Sequence, residues 1–188
     1  LAIAGIRTSS VALWYLTRAT GVVALVLLTL VFAFGVLNVL RFSTERWPRF
    51  VTDGVHRNMA LLACLFLAVH ITTTLLDSYV TIGLLDVVIP LRGSYRPVWL
   101  GLGAAAFDLL VAVMATSLLR ARIGARTWRA VHWCAYAFWP LAVVHGFGAG
   151  SDRKQTWMLV IDGVCVLAVL AAVCLRLAFT DELSPAIG

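Results

Sequence analysis

Charge is scarce in this chain. Only 13% of its 188 residues are Asp, Glu, Lys or Arg, and 62% are hydrophobic. An average soluble domain has roughly 25% and about 45–50%. So little polar surface cannot shield that much apolar surface from water, which excludes an ordinary soluble globule and makes lipid the expected solvent. Lysine is nearly absent, since every basic residue except Lys154 is an arginine. The arginines stand at the ends of apolar runs rather than along one polar face. That pattern speaks against a nucleic-acid surface and for membrane topology. The four cysteines, Cys64, Cys134, Cys165 and Cys174, form no CxxC and fall inside apolar runs. Disulfides and thiolate metal sites are therefore not expected, and the thiols read as buried and inert. There is no GxGxxG and no phosphate-cradling loop, so no flavin or nicotinamide domain is expected in this sequence. No stretch near the start has the pattern of a cleaved signal, and residue 1 is Leu, so the sequence is expected to begin inside a longer product.

What is present is a series of long apolar segments. A membrane helix needs about 20 mostly apolar residues. Five segments qualify: Val11–Leu40, Val55–Tyr79, Val98–Leu119, Trp128–Phe147 and Trp157–Ala178. The breaks "RFSTERWPRF", "PLRGSYRP", "RARIGARTWR" and "GAGSDRKQ" are rich in Gly, Pro, Ser and charge. The expected fold is all-α, a single integral membrane bundle of five transmembrane helices over residues 1–188. The loop Val80–Pro97 contains "VTIGLLDVVIPL", apolar but too short to span, and is expected to lie in the interface or fold back over the bundle's outer end, with an ordinary loop resting on lipid as the alternative.

Five spans place alternate loops on opposite sides. One side receives Arg41, Arg46, Arg49, Arg57, Arg120, Arg122, Arg126, Arg129 and Arg176, and the other Arg7, Arg92, Arg96, Arg153 and Lys154. The richer side is expected to be cytoplasmic, which puts the C-terminus inside.

The only four histidines, His56, His70, His132 and His145, all lie in spans. They form one pair fourteen residues apart in span two and one pair thirteen apart in span four, about 21 and about 20 Å along a helix. His56 and His132 share an inner level, His70 and His145 an outer one. Neutral imidazole is a good ligand for iron. Two axial histidines make a heme iron six-coordinate and suited to electron transfer, and two levels make a path across about 30 Å of hydrocarbon. Interior histidines hydrogen-bonded between helices, or a proton relay in a transporter, are the other readings. Zinc fits less well, because each level offers two ligands and not four.

Fourteen residues return a helix to within about 40° of the same face, but thirteen leave it about 140° out of phase. Span four must therefore be irregular if its histidines face one partner, and Pro140 predicts a kink or tightened turn near Trp139.

The His-x13-His and His-x12-His spacing, with "TRATG" at Thr17–Gly21, "YRPVWLGLG" at Tyr95–Gly103, "ARTWRAVHWCAY" at Ala125–Tyr136 and "VVHGFGAGSD" at Val143–Asp152, resembles the ferric reductase-like transmembrane domain family. That family includes NADPH oxidases, ferric reductases and the heme-binding membrane subunit of methionine sulfoxide reductase. The resemblance implies two heme b groups, an inner one on His56 and His132 and an outer one on His70 and His145. It also implies electron flow from the cytoplasmic side outward across the plasma membrane. Arg18, in "TRATG", matches a position that faces heme propionates; an ion pair with a membrane acid such as Asp162 is the alternative. Phe138 lies where related oxidases carry an aromatic residue between their hemes, with plain packing as the alternative. Arg126, Arg129 and Arg57 flank the inner histidines and are expected either to bind inner propionates or a reductase, or to set topology. Asp108, in the middle of span three, is read as a hydrogen-bonded or protonated acid, or part of a proton route.

The functional expectation is a diheme b-type cytochrome, the electron-transfer component of an oxidoreductase. Its partners would be membrane lipid, a separate donor (a flavin reductase or a quinol) and an external acceptor such as ferric iron, oxygen or a partner redox protein. A heme-binding structural subunit of a larger complex is the second expectation.

Overall fold

The computed structural model describes residues 10–77 and 82–183. Among these there are helices and connecting turns but no strands. The order is α1 (Ser10–Val39), α2 (Arg49–Leu76), α3 (Leu84–Val88), α4 (Pro97–Leu118), α5 (Arg120–Ile123), α6 (Ala125–His132), α7 (Ala135–Ala149) and α8 (Thr156–Leu183). A helix satisfies its own backbone hydrogen bonds, which lipid cannot do, so apolar runs of this length take that form.

Four described helices, α1, α2, α4 and α8, are long and apolar enough to cross a membrane. The expectation of five is corrected at span four. That segment is divided into α6 and α7, and the fifteen residues of α7 reach only about 22 Å. The division falls at Trp133 and Cys134, whose dihedrals (−61°, −23° and −60°, −16°) are those of a 3₁₀ turn. Cys134 N–H bonds to the Val131 carbonyl, Tyr136 to Trp133 and Ala137 to Cys134, each three residues back. The tightened turn therefore lies one to two turns before the expected place, and Pro140 sits inside α7. Three residues turned by about 120° rather than about 100° each bring the offset of His145 from His132 down from about 140° to about 80°.

Two compact units divide the chain, residues 1–21 with 67–153, and residues 22–66 with 154–188. In the first, α4 packs along α7. Its buried positions, Gly101, Ala104, Ala106, Leu110 and Val113, are mostly small, which is how membrane helices approach closely. Gly101 is required there: a Cβ would stand 2.8 Å from the Leu91 nitrogen. Segment 82–96 leans on α4 in this way, while Leu84, Leu85 and Val88 of α3 stay exposed. The Arg96 guanidinium donates to the Gly148 carbonyl (3.0 Å) at the C-terminal end of α7, where helix carbonyls lack intrahelical donors. The Thr17 hydroxyl donates to Thr73 (2.8 Å), tying α1 to α2.

In the second unit the buried residues include Leu25, Leu28, Val36, Ala63, Cys165 and Val169. The Trp47 indole donates to Thr52 (2.9 Å), closing the α1–α2 turn. Exposed Leu61, Leu65, Leu167 and Leu170 are the sort of surface that lipid covers. All four cysteines are free thiols, but only Cys165 is buried; Cys64 and Cys134 are half-buried and Cys174 is exposed, which corrects the expectation of four buried thiols. The expected reach of span two to Tyr79, and Arg7, lie outside the described residues.

Candidate functional site

The four histidines sit on α2, α6 and α7, half-buried. His70 and His145 both belong to the first unit. His70 directs Nδ1 at the Thr17 carbonyl of α1 at 2.8 Å. His145 directs Nδ1 at the Trp99 carbonyl of α4 at 2.8 Å. A carbonyl can only accept, so each Nδ1 must carry the proton. Each Nε2 then keeps its lone pair. No described residue hydrogen-bonds either Nε2. A metal-binding imidazole is usually set up this way, with one nitrogen donating to a carbonyl and the other free to bind.

His132, also in the first unit, stacks with Trp128 at 4.9 Å between ring centroids. The Arg120 guanidinium lies 4.1 Å from the centre of the Trp128 ring, and the indole donates to Ser117 (3.3 Å). His56 belongs to the second unit. Its Nδ1 meets the Val31 carbonyl of α1 at 2.9 Å, the same arrangement as His70 and His145.

Arg18 makes an ion pair with Asp152, in the turn between α7 and α8, and stacks on Trp14 at 4.0 Å. Its acid is thus a loop residue and not Asp162. Asp162, on α8, keeps a buried Oδ2 without a hydrogen-bond partner among the described residues. Phe138 is 6% exposed on α7, six residues past His132 and seven before His145. Arg129 is exposed, and its Nε donates to the Ala125 carbonyl of its own helix at 3.3 Å. No three His, Cys, Asp or Glu side chains gather into a metal cluster among the described residues.

Sequence reasoning missed three glycines. Gly21 lies against His70, Gly35 against His56 and Gly103 against His145. A signal was available: Gly21 and Gly35 stand fourteen residues apart on α1, the same interval as His56 and His70 on α2.

A family model described as a ferric reductase like transmembrane component matches residues 20–143. The match takes in His56, His70, His132 and all three of these glycines, and stops two residues short of His145. No curated protein and no solved structure matches the chain.

Proposed function

The chain belongs to the ferric reductase-like transmembrane component family, and from that premise we propose that it is a diheme b-type cytochrome carrying electrons across the membrane. The observation that carries the reading is the pair His70 and His145. Each holds Nδ1–H on a carbonyl from a different helix, which leaves two Nε2 lone pairs that could bind a heme iron. The donor set fits heme, which takes two axial imidazoles and asks for no cluster of acids or thiolates. Two such nitrogens would hold a heme iron, and the group so bound would supply one-electron transfer.

The polypeptide's part is to orient and to exclude water. The Thr17 and Trp99 carbonyls hold the ring tautomers and raise the basicity of the ligand nitrogens. We assign the outer group to His70 and His145 and the inner group to His56 and His132. Arg18, paired with Asp152, offers a cation one residue from the Thr17 carbonyl, suited to a propionate. Phe138 would lie between the two levels, and Arg129 near the inner edge. By charge, electrons enter on the arginine-rich side, from a separate flavin reductase or a quinol, and leave outside to ferric iron, oxygen or a partner redox protein.

Purified protein should show a low-spin b-type Soret band that shifts on reduction. Absence of any Soret band from protein purified in full-length, folded form would overturn the reading.

A further inference from the structure

Three of the histidines share one local geometry. His70, His56 and His145 each point Nδ1 at the carbonyl of a residue whose fourth neighbour along the same helix is glycine: Thr17 and Gly21, Val31 and Gly35, Trp99 and Gly103. In an α-helix that glycine's N–H is the intrahelical partner of the same carbonyl. The oxygen has two lone pairs, so it can take the imidazole as well, provided the ring approaches from the side. On that side, a residue other than glycine would carry its Cβ.

The ring occupies the space that a Cβ on each glycine would need. At Gly103 that Cβ would stand 2.6 Å from His145 Nδ1, at Gly21 2.9 Å from His70 Cε1, and at Gly35 3.3 Å from His56 Cε1. Small residues in membrane helices more commonly serve close backbone approach. Here the atoms nearest to all three positions belong to the imidazole alone, and no facing backbone is among them. Other helical glycines behave differently. Gly54, Gly146 and Gly163 have nothing within 4 Å of a built Cβ, although Gly146 adjoins His145 in the chain.

We propose that Gly21, Gly35 and Gly103 are positioning residues, each forming a notch that lets one ligand imidazole reach a backbone carbonyl and so fixes its ring plane and tautomer. For His70 and His145 the notches lie on two different helices, α1 and α4, neither of which supplies a ligand. The angle between these two ring planes is therefore imposed by the polypeptide. The inference rests on the diheme reading only for what Nε2 binds; the notch itself is a property of the chain.

The test is a series of single alanine variants of the full chain, Gly103→Ala, Gly21→Ala and Gly35→Ala, with Gly54→Ala, Gly146→Ala and Gly163→Ala as controls. Heme per chain and the low-spin ferric EPR signal, which responds to axial ring orientation, are the readouts. Alanine is the better helix former, so the controls should match wild type or be more stable. Gly103→Ala should lose heme affinity by about 10-fold or more, the usual cost of removing support from a metal ligand. Gly21→Ala should shift the EPR signal, and Gly35→Ala should change least. If Gly103→Ala does not fold, Gly21→Ala carries the test, because its Cβ intrudes less. Wild-type spectra and heme content in both Gly21→Ala and Gly103→Ala would overturn the proposal, as would equal effects in Gly146→Ala.

Should wild type carry no heme, the diheme reading fails and the notch is tested separately, from the histidine ¹⁵N shifts of that same protein. The Nδ1–H tautomer should then hold for His145 in wild type and be lost in Gly103→Ala. A mixed tautomer in wild type would overturn the notch.

Discussion

His145 and Trp99 join α7 to α4 twice over: the imidazole Nδ1 meets the Trp99 carbonyl at 2.8 Å, while the Trp99 indole lies over Gly148, three residues further along α7. Trp99 thus holds the histidine with its backbone and packs on the same helix with its side chain. A Cβ at Gly148 would fall inside the indole ring. Gly148→Ala should therefore displace Trp99 and destabilise the protein by about 1–3 kcal/mol, the usual cost of overpacking. Thermal unfolding in detergent, compared with Gly146→Ala as an unobstructed control, measures it. Equal midpoints for the two variants would remove Trp99 from the account.

The Arg18–Asp152 pair gives a second prediction. Both side chains are mostly shielded, at 21% and 17% exposure, so neither charge is fully hydrated once its partner is gone. A double-mutant cycle with Arg18→Gln and Asp152→Asn should give a coupling of about 0.5–3 kcal/mol. The Asp162→Asn change should not couple to Arg18→Gln. Coupling to Asp162 in place of Asp152 would restore the acid suggested by helix depth.

Much of this was legible in the sequence, for physical reasons. Apolar runs longer than a bilayer's thickness must be helices, so α1, α2, α4 and α8 follow from composition alone. The histidine pairs stand out because imidazole is costly inside such runs. The division of span four was only partly legible. A thirteen-residue interval demands an irregular turn, but Pro140 suggests one place while the dihedrals of Trp133 and Cys134 tighten at another. Asp152 was overlooked because depth along a span ranks acids within helices, whereas the chain returns a loop acid to Arg18. The glycine notches depend on which helix faces which histidine; the fourteen-residue interval shared by Gly21 and Gly35 with His56 and His70 signals two of them, and no such interval marks Gly103.

Orientation yields a third prediction. The charge count puts Lys154 outside and Arg122 inside, which requires α6 and α7 together to cross the membrane. In a cysteine-free background, Lys154→Cys in intact cells should react with a membrane-impermeant maleimide, and Arg122→Cys only after permeabilisation. The reverse labelling pattern would invert the direction of electron flow.

The central claim is that His70 and His145 hold one of two hemes. A pyridine hemochrome assay of heme per chain, on wild type and on His70→Ala, tests it most directly. About two hemes in wild type should fall to about one in the variant, because one axial donor of the outer pair is gone. An unchanged ratio in His70→Ala would contradict the assignment.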